Sequence, residues 1–273
     1  MIYLNKISSI INEVYIIEKN ASRKNWMNAI HPLIKLLLTI IYILISMSFS
    51  KYDLIGVLSM IFYLLIVFFI ADIPFYKCIW KFKAILPFIL VISIMDLFFN
   101  RNYIIICNLE ISIGILSMIT LVLKSYICVI ASYFLISTTT IEEICYALRL
   151  LYIPSIIRTQ ILLTYRYLII FLLEANSIIQ AYTLRTPNYK GIHFNVWGSL
   201  IGQLLIRTFE RAMNIYESML LRGYNGEFHN VSNNTNIKIS DLLYFFFWVS
   251  IFFILRICPI IYILGNFIGG FFL

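Results

Sequence analysis

The sequence predicts an all-α integral membrane protein of about five transmembrane helices plus two long amphipathic cytoplasmic helices. Three observations carry that prediction. Apolar residues make up 62% of the 273-residue chain and charged residues only 12%, against about 25% charged in soluble domains. Mean hydropathy is +0.91, so the chain needs lipid as solvent, which excludes a soluble enzyme, a disordered protein and a secreted disulfide scaffold. The long apolar stretches are continuous rather than alternating, which argues for helices over barrel strands.

The elements follow in order. The first thirty residues carry Lys6, Glu13, Glu18, Lys19, Arg23 and Lys24 and lack the apolar block and small-residue site of a cleavable leader. A helix needs about 20 apolar residues to cross the hydrocarbon core, with a range near 17–25. Leu33–Phe49, Leu54–Ala71, Ala84–Phe99, Ile111–Ser137 and Leu242–Leu264 meet or approach that length. The third contains Pro87, and the fourth carries Lys124 at its middle. Lys and Arg number five up to Lys35, three in the second loop and nine between Thr138 and Ser240, against Lys51 and Arg101 on the other side. Seventeen against two places the N-terminus in the cytoplasm and, with five crossings, the C-terminus outside. The net charge of +8 then reflects topology and contact with anionic lipid rather than nucleic-acid binding.

The hundred residues between the fourth and last spans are too many for an unstructured loop. Thr138–Leu151 opens on a threonine run with Glu142 and Glu143, a capped helix start. After Pro154 a helix of about thirty residues can run from Ser155 to Leu184. After Pro187 and Gly191, a second runs from Val196 to Leu221 and stops at Gly223. Gln203, Arg207, Glu210, Asn214, Glu217 and Ser218 recur at three- and four-residue steps and share one face of the second helix. A sparser polar stripe (Arg158, Gln160, Thr164, Arg166, Glu174, Gln180) marks the first. Its middle, Tyr167–Leu173, is apolar enough to keep a sixth crossing open, although two striped helices under the bilayer fit better. His229–Asn236 reads as a linker whose sequons at Asn230 and Asn233 face the cytoplasm. The division is therefore 1–137 (tail and first four spans), 138–240 (two-helix module) and 241–273 (last span).

Catalytic chemistry is not encoded in any motif. There is no GxxxxGK[ST] phosphate loop, no HExxH and no GxSxG, so no nucleotide hydrolysis is expected on this chain. His31, His193 and His229 lie in separate stretches. Cys78, Cys107, Cys128, Cys145 and Cys258 show no CxxC or zinc spacing, so no metal or cofactor is expected here. Asp96, Lys124 and Arg256 are the ionisable residues within the spans, where charge is expensive and paired or functional. The expectation is an Asp96–Arg256 ion pair fixing helix packing; an intramembrane acid/base or relay role is the alternative.

Five segments carry a family resemblance: HPLIKLL opening the first span, YIP at Tyr152–Pro154, QILLTYRYL at Gln160–Leu168, LRT at Leu184–Thr186, and FERAMNIYESMLLRGYNGEF at Phe209–Phe228. Together they resemble the T component of energy-coupling factor transporters, closest to the CbiQ type serving cobalt uptake. The resemblance implies a non-catalytic membrane scaffold in a prokaryotic plasma membrane. Its partners would be two ATPase subunits of the CbiO kind, which hold the ATP, and a substrate-binding membrane subunit of the CbiM kind. In that family two cytoplasmic helices each end in an arginine-centred motif that docks on one ATPase. The matching positions are Leu184, Arg185, Thr186 and Leu221, Arg222, Gly223, with Thr186 where the family usually has glycine. Nickel and vitamin importers use similar T components. A self-contained secondary carrier should show inverted repeats or broken helices, which the sequence lacks. A structural or assembly protein without transport would tolerate loss of the arginine motifs.

Overall fold

The computed structural model describes residues 2–23, 25–51, 53–71, 86–95, 103–106, 109–187, 192–226 and 237–257. Its elements are α1 (Ile2–Ala21), α2 (Trp26–Ala29), α3 (Pro32–Ser48), α4 (Leu54–Ala71), α5 (Leu86–Met95), β1 (Tyr103–Ile106), β2 (Leu109–Ser112), α6 (Ile113–Thr138), α7 (Ile141–Leu150), α8 (Ser155–Arg185), α9 (Phe194–Leu221) and α10 (Ile239–Ile257). It is an all-α membrane fold relieved by one short antiparallel hairpin, in which Tyr103 faces Ser112 and Ile106 faces Leu109. The sequence reading ran the fourth span from Ile111; Ile111 and Ser112 lie in β2 instead, and the helix starts at Ile113. Asp96, the second loop with Cys78, Cys107, the linker from 227 to 236, and the end of the last predicted span with Cys258 lie outside the described residues.

Contacts divide the chain into two compact units, residues 1–22 with 140–234, and 23–139 with 235–273. In the second unit α3, α4, α6 and α10 pack around an aromatic centre. The Tyr63 ring lies 4.9 Å from that of Tyr42, 4.6 Å from Trp248 and 4.8 Å from Phe252. Edge-on and tilted rings at these distances add to simple burial. The Tyr42 hydroxyl donates to the Met60 carbonyl at 2.8 Å, so a polar group deep in the bundle is satisfied. α6 adds Ile127, Ile130, Ala131 and Phe134 to this core. Outward faces are apolar too: Leu44, Phe62 and Phe69 are exposed, as lipid-facing side chains must be when no water is there to be avoided.

By length and composition α4, Gly114–Thr138, α8 and α10 could each cross a membrane, and α3 and α5 are shorter apolar helices. α3 opens at Pro32, one residue before the predicted span. His31 is the N-cap, its ring accepting the Leu33 N–H at 3.3 Å, and Pro32 follows at the first helical position, where its missing N–H costs nothing.

In the first unit α8 packs against α7, α9 and α1. Contacts group the 20-residue N-terminal helix α1 with α8 and the rest of this unit.

Candidate functional site

The first unit holds α1, α7, α8 and α9, and the ends of the last three are closed by identifiable groups. α7 starts on a capping box: Thr140 Oγ1 accepts the Glu143 N–H at 3.3 Å, and Glu143 Oε2 accepts the Thr140 N–H at 3.0 Å. Two of the helix's orphan donors are thereby occupied. It ends with Tyr152 N–H on the Arg149 carbonyl (3.1 Å) and Ile153 N–H on the Leu148 carbonyl (3.2 Å). That is the Schellman arrangement, with Tyr152 at φ 58° where glycine is usual. Pro154 prevents the helix from continuing and starts α8.

α8 and α9 carry the predicted docking residues at their C-terminal ends. At α9, Gly223 N–H bonds the Leu220 carbonyl and Tyr224 N–H the Met219 carbonyl, both at 2.9 Å, with Gly223 at φ +80°. This second Schellman cap uses a residue without a Cβ where a Cβ would be strained. At α8 the departure from glycine is solved by side-chain chemistry. Thr186 keeps φ at −129° and accepts no left-handed turn; its N–H and its hydroxyl both donate to the Tyr182 carbonyl, at 3.1 and 2.9 Å. Both helix ends are thus closed by backbone and hydroxyl groups, and neither Arg185 nor Arg222 is consumed as a cap. Both arginines are exposed, and beside them Leu184 and Leu221 are 82% and 90% exposed.

The two helices run antiparallel. Arg207 of α9 bonds Glu174 of α8 at 2.7 Å, while the C-terminal residues Met219 and Arg222 line a cavity with Leu163 and Arg166 near the start of α8. Consequently the two arginine motifs stand at opposite ends of the pair. Arg222 lies beside Arg166, nineteen residues from Arg185 on α8, which is roughly 30 Å along the helix.

In the second unit the ionisable residues of the spans hold helix ends. Lys124 Nζ donates to the Phe49 carbonyl at 2.5 Å, and Arg256 Nη2 to the Ser48 carbonyl at 2.9 Å with its guanidinium 4.8 Å over the Phe49 ring. Thr120 donates to the Lys51 carbonyl, and the carboxylate of Asp53 also acts on Lys124. A methyl on Gly56 would stand 2.5 Å from the Phe49 ring, so only glycine leaves the ring its place. The same logic recurs at the opposite end. Lys35 Nζ bonds the Asn28 and Thr138 carbonyls at 3.2 and 2.9 Å, Asn25 bonds the Ala71 carbonyl at 3.1 Å, and the His31 N–H donates to buried Asp241 at 3.3 Å. Fourteen residues separate the two lysine contacts along both α3 and α6. Lys124, at the middle of its own helix, is therefore level with the end of α3. The predicted partner of Arg256, Asp96, lies outside the described residues.

Residues 23–237 match the CbiQ family of cobalt transport proteins. The chain belongs to that family. It is also 27% identical over 263 residues to an uncharacterised protein of Methanocaldococcus jannaschii, a match covering 91% of this chain and 88% of the relative. As a CbiQ member it is a membrane component of cobalt transport. Among the described residues no three His, Cys, Asp or Glu side chains stand close enough to hold a metal ion.

Sequence reasoning missed three features of this CbiQ chain: the clustering of Arg166 with Arg222, the left-handed Tyr152, and the Phe49–Gly56–Arg256 stack. Arg166 was visible as part of the TYRY segment. For the other two a sequence offers no sign, because each depends on the backbone of a turn.

Proposed function

We propose that this chain is the transmembrane coupling subunit of an ATP-driven importer of the energy-coupling factor type. In this reading Leu184–Arg185–Thr186 and Leu221–Arg222–Gly223 each dock on one of two ATPase subunits in the cytoplasm, and a separate membrane subunit binds the substrate, cobalt. The observation that carries it is the pair of exposed arginine–leucine ends, rigidly capped without the arginines' help and set at opposite ends of one antiparallel helix pair. Two identical or related ATPases need two such points. The missing phosphate loop assigns ATP hydrolysis to partners, so no cofactor is expected on this chain.

The helices suit the task of relaying force. An α-helix of 31 residues has every interior backbone group bonded and changes length little, so displacement of one end is delivered to the other. The Glu174–Arg207 bond fastens the pair partway along. A change in spacing between two docked ATPases would then rotate one helix against the other and pass to the spans through the α6–α7 and α9–α10 connections.

The test is the double change Arg185→Ala with Arg222→Ala. If each arginine pairs with a carboxylate in a partner groove, each loss costs about 2–5 kcal/mol of association, a factor of about 30 to several thousand. Membrane insertion should be intact while ATPase co-purification and cobalt uptake are abolished. Lysine at either position should restore only part, since it cannot make a bidentate contact. If both arginines only complement helix dipoles, the loss is about 0.3–1 kcal/mol each in helix stability and partner recovery is unchanged; that outcome removes the coupling mechanism.

A further inference from the structure

The charge balance changes along the α8–α9 pair, between two grooves that share Tyr167, Ile215 and Ser218. One groove, about 550 Å³, is lined by Arg207 and Arg211 against Glu174 and Glu210, and Arg207 is already bonded to Glu174 at 2.7 Å. Its two arginines and two glutamates balance in formal charge, and one pair of them is bonded. The other, a cavity of about 460 Å³ at the C-terminal end of α9, is lined by Arg166 and Arg222 with Leu163, Tyr167, Met219 and Tyr224 among its walls, and among the described residues no Asp or Glu lines it. Neither guanidinium has a hydrogen-bond or ion-pair partner among the described residues. Two uncompensated cations thus share one concavity, on the same helices that balance their charges a few turns away.

The arrangement has no evident structural use. Two like charges facing one cavity repel, and the Leu220 and Met219 carbonyls near the end of α9 are already taken by the N–H groups of Gly223 and Tyr224. What would relieve the repulsion is a carboxylate between the guanidiniums, the geometry in which arginine binds most strongly. The cavity is continuous in its lining with a smaller apolar one of about 260 Å³ that shares Leu163, Tyr167, Ile215 and Met219. An occupant therefore needs an acid next to an apolar side chain. Leu221, 90% exposed, extends the apolar surface to the docking end itself.

We propose that Arg166 and Arg222 form a two-guanidinium groove that receives one acidic segment of the nucleotide-hydrolysing partner, so the α9 end docks through two arginines and the α8 end through Arg185 alone. This rests on the coupling role argued above and adds a residue that the arginine motifs do not include. Continuity with the Leu221–Gly223 end selects a protein occupant over an anionic lipid, which would meet the same cations.

The experiment uses the full-length chain in nanodiscs and the ATPase subunits recovered with it from its own membranes. Arg166→Gln, which keeps side-chain length and helix propensity, should weaken association about 30-fold or more, as Arg222→Ala should. Combining those two should cost little beyond either alone, since both address one carboxylate. Combining Arg166→Gln with Arg185→Ala should multiply the losses, because the sites are independent. A purely structural role for Arg166 would not produce that contrast. Wild-type affinity for Arg166→Gln with weakened Arg222→Ala overturns this inference and leaves the coupling reading intact. Unchanged affinity for Arg166→Gln together with loss of bound anionic phospholipid makes the groove a lipid site and also overturns it. Full affinity in Arg222→Ala and Arg185→Ala as well overturns both.

Discussion

Gly223→Ala isolates the geometry of a docking end from its chemistry. The position has φ +80°, and a Cβ built there meets nothing within 4 Å. The substitution therefore introduces no clash, removes no charge and leaves Arg222 in place; its whole effect is the left-handed backbone, worth about 1–2 kcal/mol for a residue with a Cβ. The chain can relieve that strain by releasing the two bonds from Gly223 to Leu220 and from Tyr224 to Met219, each 2.9 Å. Arg222 would then project from a frayed turn. If docking requires the closed cap, the strain is charged to association, and affinity for the ATPase subunits should fall about 5- to 30-fold, with helix content by circular dichroism unchanged. Asparagine tolerates this region better than alanine, so Gly223→Asn should recover part of the affinity. The chain itself sets a bound, because Tyr152 occupies φ 58° at the matching place after α7; such strain is borne without loss of the fold. Alanine at wild-type affinity, with asparagine no different, would refute the claim that the cap aims the arginine.

Three further outcomes are expected. Gly56→Ala should destabilise the membrane unit by about 1–3 kcal/mol, since its methyl would stand 2.5 Å from Phe49 Cε1 and 2.7 Å from Cδ1; thermal unfolding in detergent, followed by tryptophan fluorescence, measures it. The Cys145 thiol should react with maleimide more slowly than a free cysteine at neutral pH. Burial pushes its pKa up, the Arg158 charge pulls it partly back and Glu142 raises it further, so thiolate appears, and the rate climbs, only above the usual thiol range; a normal rate at pH 7 would contradict this. Sidedness follows from the basic-residue count: a cysteine replacing Ser232 should be labelled only from the cytoplasm and one added after Leu273 only from outside, whereas labelling of both from one face would make α8 a crossing.

What the sequence disclosed divides along a physical line. Spans were legible wherever burial in lipid enforces continuous apolarity, as at Leu54–Ala71, which α4 matches residue for residue. One helix start was legible where side chains do the capping, the threonine run with Glu143 at α7, whereas the His31 cap before Pro32 came only with the structure. The hairpin at 103–112 was not, because strands of four residues, Tyr-Ile-Ile-Ile and Leu-Glu-Ile-Ser, are too short to show a period. α1 was also passed over, although Ile7, Ile10, Ile11, Val14, Ile16 and Ile17 recur at helical spacing.

The membrane cations show why part of the site lay beyond sequence. A cation inside a span suggests a carboxylate partner, since acids have letters and backbone carbonyls do not. Yet in hydrocarbon every unbonded carbonyl costs several kcal/mol, and each helix that ends there leaves up to four. Lys124, Arg256, Lys35 and Asn25 all donate to carbonyls at or just beyond the ends of α3, α4, α6 and, for Asn28, α2. Helix ends carry partial negative charge, so a lysine or arginine there meets an electrostatic partner that no alignment of acids and bases reveals. It follows that such a cation cannot be freed for substrate transfer without uncapping a helix. The arginines at the α8 and α9 ends stand in the opposite position: their helices are capped by Thr186 and by a Schellman turn. A fold that uses its basic side chains as caps within the membrane unit and declines to do so at two exposed helix ends has left those two guanidiniums available for something outside the chain.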